Sequence, residues 1–112
     1  GNYAACVVGT VVGDTIVFGD KSYFNTAAVN SVSMAYDTAN QKVVIAYQDM
    51  GNNGNCTARV GTISGNSITF GSETTLDVMP NIGEFGTSTV YDPDTGKIVV
   101  FLFSYPRRKS RR

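Results

Sequence analysis

The segment Gln41-Lys42-Val43-Val44-Ile45-Ala46-Tyr47-Gln48-Asp49 returns as Gly96-Lys97-Ile98-Val99-Val100-Phe101-Leu102-Phe103. Each copy follows a Tyr-Asp pair, Tyr36-Asp37 or Tyr91-Asp92, by the same interval. A second echo matches Val8-Gly9-Thr10-Val11 and Thr15-Ile16-Val17-Phe18-Gly19 with Val60-Gly61-Thr62-Ile63 and Ser67-Ile68-Thr69-Phe70-Gly71. The offset is 52 residues from Val8 to Val60 and 55 from Tyr36 to Tyr91, so three residues are added between Phe70 and Tyr91. A chain with a period of about fifty builds one local structure repeatedly and stacks the copies, because a single unit cannot bury its apolar face alone.

The local patterns are those of strands. Residues 3 to 11 alternate loosely and end at Val12-Gly13-Asp14-Thr15, where glycine at the first turn position suits a two-residue hairpin; Ser64-Gly65-Asn66-Ser67 repeats the device. Beyond each turn Ile16 and Phe18, or Ile68 and Phe70, fall on one face, a period-two pattern. Residues 20 to 30 and 72 to 84 read as polar connections, the first carrying Tyr23 and Phe24 and the second Met79, Pro80 and Asn81. Small residues at Ser33, Ala35, Gly86 and Ser88 imply crowding on one face of the strands before each Tyr-Asp pair. Val43 to Tyr47 and Ile98 to Phe103 are apolar on both faces and read as strands covered on both sides. No segment has a helical period, so stacked sheets must supply that cover.

Inner strand, Tyr-Asp turn, apolar second strand, third strand ending Val-Gly-Thr and hairpin to a fourth strand ending Phe-Gly: this order resembles a four-stranded β-propeller blade. It is also similar to repeat units of bacterial and phage surface proteins. The resemblance spans about residues 3 to 105; the WD dipeptide, the kelch double glycine and the Ser-x-Asp-x-Gly-x-Thr-Trp box are all missing. It implies an all-β fold of two blades per chain over 1–105: blade parts at 3–20 and 85–105 around a whole blade at 29–75. A basic tail follows at 106–112. Propellers close with about 4 to 8 blades. The chain is therefore either a piece of a longer protein or one of several copies closing a ring, each lending its first two strands to a neighbour's last two. Identical two-blade chains give an even number of blades, and a homotrimer with six blades resembles small trimeric sugar-binding propellers. Those lectins stack sugars on tryptophan, which this chain lacks. Surface-protein likeness implies an extracellular or virion-surface setting.

Composition narrows the chemistry. The 112 residues contain no histidine, which removes Ser-His-Asp and Cys-His catalysis and histidine-ligated metals. Sialidase-like propellers hold a carboxylate with several arginines, and outside the tail only Arg59 is present. Paired carboxylates hydrolyse glycosides, but Asp37, Asp49 and Asp92 all fall near turns, where aspartate bends and caps chains anyway. Asp92-Pro93-Asp94-Thr95-Gly96 has the rhythm of a calcium loop but lacks the later glutamate, so a hairpin turn explains it better. Five of the nine basic residues lie between Arg107 and Arg112, leaving an acidic body and a basic end, which reads as a solvated tail ahead of a contact for nucleic acid or an acidic surface. The longest apolar run, Ile98 to Phe103, is far short of the roughly 18 to 20 residues of a membrane span. Gly1 leads into a strand-like segment without the charged start and apolar core of a secretory leader.

Two cysteines make no disulfide framework. Aligning the copies places Cys6 opposite Ala58 and Cys56 opposite Ala4, on one face of equivalent strands; they pair between modules or chains, or are two small buried thiols. Asn55-Cys56-Thr57 fits the glycosylation pattern. The amide-rich loop Gln48 to Asn55 offers groups for sugar hydroxyls, so Tyr47, Asp49, Asn52 and Asn53 are the first ligand candidates, with the loop aromatics Tyr23 and Phe24 the second. The expectation is a non-enzymatic binding module for carbohydrate or cell-surface recognition, or else a structural repeat of a fibre, coat or larger surface protein. Neither needs a cofactor, a nucleic acid or a membrane.

Overall fold

A computed structural model describes residues 4–76 and 85–104. Tyr3, the Met79-Pro80-Asn81 stretch, Tyr105 and the basic tail lie outside them. The described residues are all-β, in several sheets of which none is closed.

The centre is an antiparallel meander, β5 (Val29–Asp37), β6 (Lys42–Asp49), β7 (Asn55–Ser64) and β8 (Ser67–Phe70). β6 is buried on both faces: Ile45, Ala46 and Tyr47 are each at most 1% exposed. Asp37 closes the β5–β6 turn by accepting hydrogen bonds from the backbone amides of Ala39 (3.0 Å) and Asn40 (3.1 Å) and from Asn40 Nδ2 (2.8 Å), while Gln41 takes φ 57°. β9 (Thr74–Leu76) pairs with the first half of β7, on the edge whose second half pairs with β8.

The residues that echo one another in sequence take matching places. β2 (Gly9–Val12) and β3 (Thr15–Phe18) pair with Gly9 opposite Phe18, and β7 and β8 pair with Gly61 opposite Phe70. Both turns place glycine, Gly13 or Gly65, at φ 60°, the requirement of a hairpin whose first turn residue is left-handed. A hydroxyl fastens each: Thr15 Oγ1 donates to Val12 O (2.9 Å) and Ser67 Oγ to Ser64 O (3.0 Å). β1 (Ala4–Cys6) and β4 (Ser22–Asn25) pair with Ala5 opposite Tyr23, as Thr57 lies opposite Thr75. β10 (Phe85–Asp92) and β11 (Lys97–Ser104) pair with Tyr91 opposite Ile98, as Tyr36 lies opposite Val43.

Two expectations are corrected. Segments 20 to 30 and 72 to 84 are not merely connections, because β4 and β9 lie within them; strands of four and three residues flanked by polar residues leave little period to read. The first strand also divides into β1 and β2, because its partner changes from β4 to β3.

The parts stack in layers. The face of the central sheet carrying Val43, Ile45, Tyr47 and Ile68 packs against Ala4 and Phe24, with Cys6 and Val8 at the margin. Phe24 meets Tyr47 edge-on at 5.1 Å between centroids and Phe70 at 6.0 Å. Arg59 lies 5.6 Å over the Phe70 ring and ties the layers, donating from Nη1 to Phe24 O (2.7 Å) and from Nε to Gly71 O (2.9 Å). On the opposite face, where Ser33 pairs with Ala46, β5 meets β10 through side chains. Ser33 Oγ lies 2.8 Å from Thr87 Oγ1 and 2.7 Å from Thr89 Oγ1, and Ser31, at φ 53°, accepts twice from Thr87 at 2.6 Å, its Oγ from the backbone amide and its carbonyl from the hydroxyl. Hydroxyls thus join two strands that share no backbone ladder.

Candidate functional site

The amide-rich loop between β6 and β7 is built on Asp49. Its Oδ1 accepts from Asn25 Nδ2 (2.9 Å) and Gly51 N (3.0 Å), and its carbonyl accepts from Asn52 N (3.0 Å) and Gly54 N (2.9 Å). Asn53 and Gly54 both take positive φ, 59° and 71°, and Gln48 Nε2 donates to Gly54 O at 3.0 Å. Asp49 is 4% exposed, so its carboxylate shapes the loop from beneath. Asn52 Nδ2 makes a long contact to Thr75 Oγ1 (3.4 Å), and Asn52 and Asn53 are exposed.

The other three candidates divide between core and surface. Tyr47 and Phe24 are 0% and 4% exposed and present no surface to a ligand in this chain. Their pattern misleads because an aromatic at a strand end or in a short strand reads like a loop aromatic, whereas here each fills the space between two layers. Burial pushes the Tyr47 phenol well above its ordinary value, Glu73 and Asp49 reinforce that, and Arg59 opposes it. Its hydroxyl reaches Glu73 Oε2 only at 3.5 Å. Tyr23, next along β4, points the other way and is 55% exposed.

Sequence reasoning passed over Asn25, and read Asn55 and Thr57 only as part of a glycosylation pattern and, for Asn55, as the end of the amide-rich loop. Asn25 joins β4 to Asp49. Asn55 Oδ1 and Thr57 Oγ1 are buried beside Asp49 and Tyr47, which they face across β6 and β7, and neither has a hydrogen-bond partner among the described residues. Such groups cost about 1 to 3 kcal/mol each.

Elsewhere the acidic turns are structural in geometry. Asp92 Oδ1 accepts from Asp94 N (3.1 Å) and Oδ2 from Thr95 Oγ1 (2.7 Å), closing the β10–β11 hairpin with Gly96 at φ 71°. Among the described residues no group of three or more His, Cys, Asp or Glu side chains converges on a point that could hold a metal. Cys6 is half-buried and Cys56 buried, both are free, and burial raises both thiols above their ordinary value. Low thiolate content makes them poor nucleophiles.

No protein-family profile, curated protein or solved structure matches the chain. Function therefore has to be argued from the geometry itself. Loop amides are mostly turned to holding their own loop. The most extensive unexplained feature lies elsewhere, on the apolar faces at the two ends of the stack. Val11, Ile16 and Phe18 of the first hairpin are 73%, 49% and 60% exposed, and Val90, Val99, Phe101 and Phe103 of the last are 41 to 56% exposed.

Proposed function

We propose that this chain is a non-catalytic architectural module: its sheets are propeller blades, and three copies close a six-bladed ring of a surface, fibre or coat assembly. The observation that supports this reading is the pair of exposed apolar end faces, since soluble monomers seldom leave large contiguous apolar patches in water. The joints inside the chain are filled by Phe24 packing on one side and by the Ser33, Thr87 and Thr89 hydroxyls on the other, as befits a structural part. Light scattering on the size-fractionated protein tests it. The expected mass is three times 12.0 kDa, and a 12.0 kDa particle at every concentration overturns the reading.

Glycan recognition is the second reading, supported by the exposed amides of Asn52 and Asn53 near the exposed edge of the loop. Binding on a glycan array that is lost in Asn53→Ala would favour it. An array without signal above background removes it.

A further inference from the structure

The central sheet shows how the two end hairpins complete one another. β7 uses both edges, β8 and β9 on one and β6 on the other. Among the described residues its counterparts β1 and β2 pair only with β4 and β3, and β11, the counterpart of β6, pairs only with β10. Among the described residues, the first and last hairpins thus each carry an open strand edge that matches one closed within the centre.

Exposure follows the same logic. Met34 and Tyr36 on β5 are 51% and 49% exposed on the face that β1 and β4 cover further along. Val60 and Leu76, on the opposite face of β7 and β9, are 46% and 44% exposed where the β10–β11 hairpin does not reach. Alongside the open edge of β1 and β2 runs an apolar groove of about 230 Å³, bounded by Cys6, Val8 and Gly9 on one side and Met34 and Val43 on the other.

We propose that two copies of this chain share a sheet, β11 of one lying antiparallel on the open edge of β1 and β2 of the next. The register is copied from β6 and β7. Val43 opposite Gly61 becomes Ile98 opposite Gly9 of the second copy, Ala46 opposite Ala58 becomes Phe101 opposite its Cys6, and Tyr47 opposite Thr57 becomes Leu102 opposite its Ala5. Phe101 and Val99 then extend the layer of Cys6 and Val8, over Met34 and Tyr36 of the second copy. In return the second copy's Val11, Ile16 and Phe18 cover Val60 and Leu76 of the first. A one-residue slip would turn every one of these side chains to the wrong face, so the register is strongly specified. The contact is head-to-tail, leaving the same two edges open at the far ends until a ring closes.

This inference rests on the architectural reading and specifies its contact. The test uses the full chain carrying Cys56→Ala and Phe101→Cys, oxidised with diamide and run on a non-reducing gel. Directly opposed residues of an antiparallel pair have Cα atoms about 4.5 to 5.5 Å apart, within disulfide reach. The expected product is a reducible species of twice the 12.0 kDa chain mass, or a larger multiple, formed through Cys6. Val100→Cys and Leu102→Cys in the same background place the thiol on the other face and should leave mostly uncrosslinked chain. Light scattering on each unoxidised variant accompanies the gel. If an oligomer forms but Val100→Cys or Leu102→Cys crosslinks as well as Phe101→Cys, the shared-sheet register is overturned and the architectural reading survives. If every variant and the parent chain remain monomeric, both fall and a different protein segment must cover the edges. Phe101→Glu gives a check independent of oxidation: the mass should drop to that of one chain with the circular dichroism of strands retained, and an unchanged mass overturns the proposal.

Discussion

Replacing Phe24 by alanine probes whether β4 fastens the first layer to the central sheet. The side chain is 4% exposed, edge-on to Tyr47 at 5.1 Å and tilted against Phe70 at 6.0 Å. An aromatic side chain buries about 150 to 250 Å², which at about 25 cal/mol per Å² is roughly 4 to 6 kcal/mol for the whole side chain. Alanine keeps part of that, each lost aromatic pair removes about 0.5 to 1.5 kcal/mol more, and partial collapse of the site returns some. The expected loss is about 3 to 5 kcal/mol, against roughly 1 kcal/mol for Phe24→Leu, which preserves most of the volume. Urea unfolding followed by tyrosine fluorescence suits a chain without tryptophan, with all variants compared at one protein concentration. A Phe24→Ala loss no larger than that of Phe24→Leu would refute the docking of β4 on Tyr47 and the layer order built on it.

A methyl group at Gly19 would overlap the backbone oxygen of Asn66 and come within 2.8 Å of its Cβ, so Gly19→Ala should cost about 1 to 3 kcal/mol; unchanged urea stability would place the end of β3 apart from the β7–β8 turn. Thr57→Val replaces a buried hydroxyl that has no partner by a methyl group, and a gain of about 1 kcal/mol in the same assay is expected. A loss instead would show that the hydroxyl is bonded. Asn40 holds the Asp37 carboxyl below the ordinary carboxylate range, through its side chain first and its backbone amide second; burial works against this, and Ala39 N and Tyr91 assist. Because the unfolded chain then binds the proton more readily, this contribution is complete above an unfolded value of about 3.9 and is lost as pH falls through the folded value. Comparing acid unfolding of the parent with Asn40→Ala should show the variant losing stability at higher pH, and superimposable curves would contradict it.

Two apolar runs were expected to be covered on both faces, and only the first is: Val99, Phe101 and Phe103 leave one face of Ile98 to Phe103 41 to 56% exposed, because no described strand layer lies over that side. Val43 to Tyr47 was legible because it is apolar on both faces in the sequence and covered on both in the fold, and Val12-Gly13-Asp14-Thr15 carries its turn chemistry in four residues. β4 was hidden for the opposite reason. Four residues flanked by polar ones hold too little pattern, and its pairing partner β1 lies 16 positions earlier, from Cys6 to Ser22. The candidate loop was legible as a loop, yet not in its internal use: Asp49 and Asn25 meet only because β4 crosses the end of the sheet. Tyr47 illustrates the same gap, since whether an aromatic at a strand end is a platform or a plug is decided by the layer above it, here by Phe24.

The hydroxyl contact between β5 and β10 has a mechanical consequence. Thr87 Oγ1 donates its one hydrogen to Ser31 O, so Ser33 donates to Thr87 and Thr89 to Ser33, a one-way chain of hydroxyl bonds. A backbone ladder repeats its bonds along the whole length of two strands; this joint holds β5 to β10 at a few side-chain bonds around Ser31, Ser33, Thr87 and Thr89, so a small shear strains fewer of them. Misfit accumulated on adding one sheet after another would concentrate there and relax, leaving the apolar packing around Tyr47 undisturbed. The seam behaves as a compliant bearing between two stiff plates.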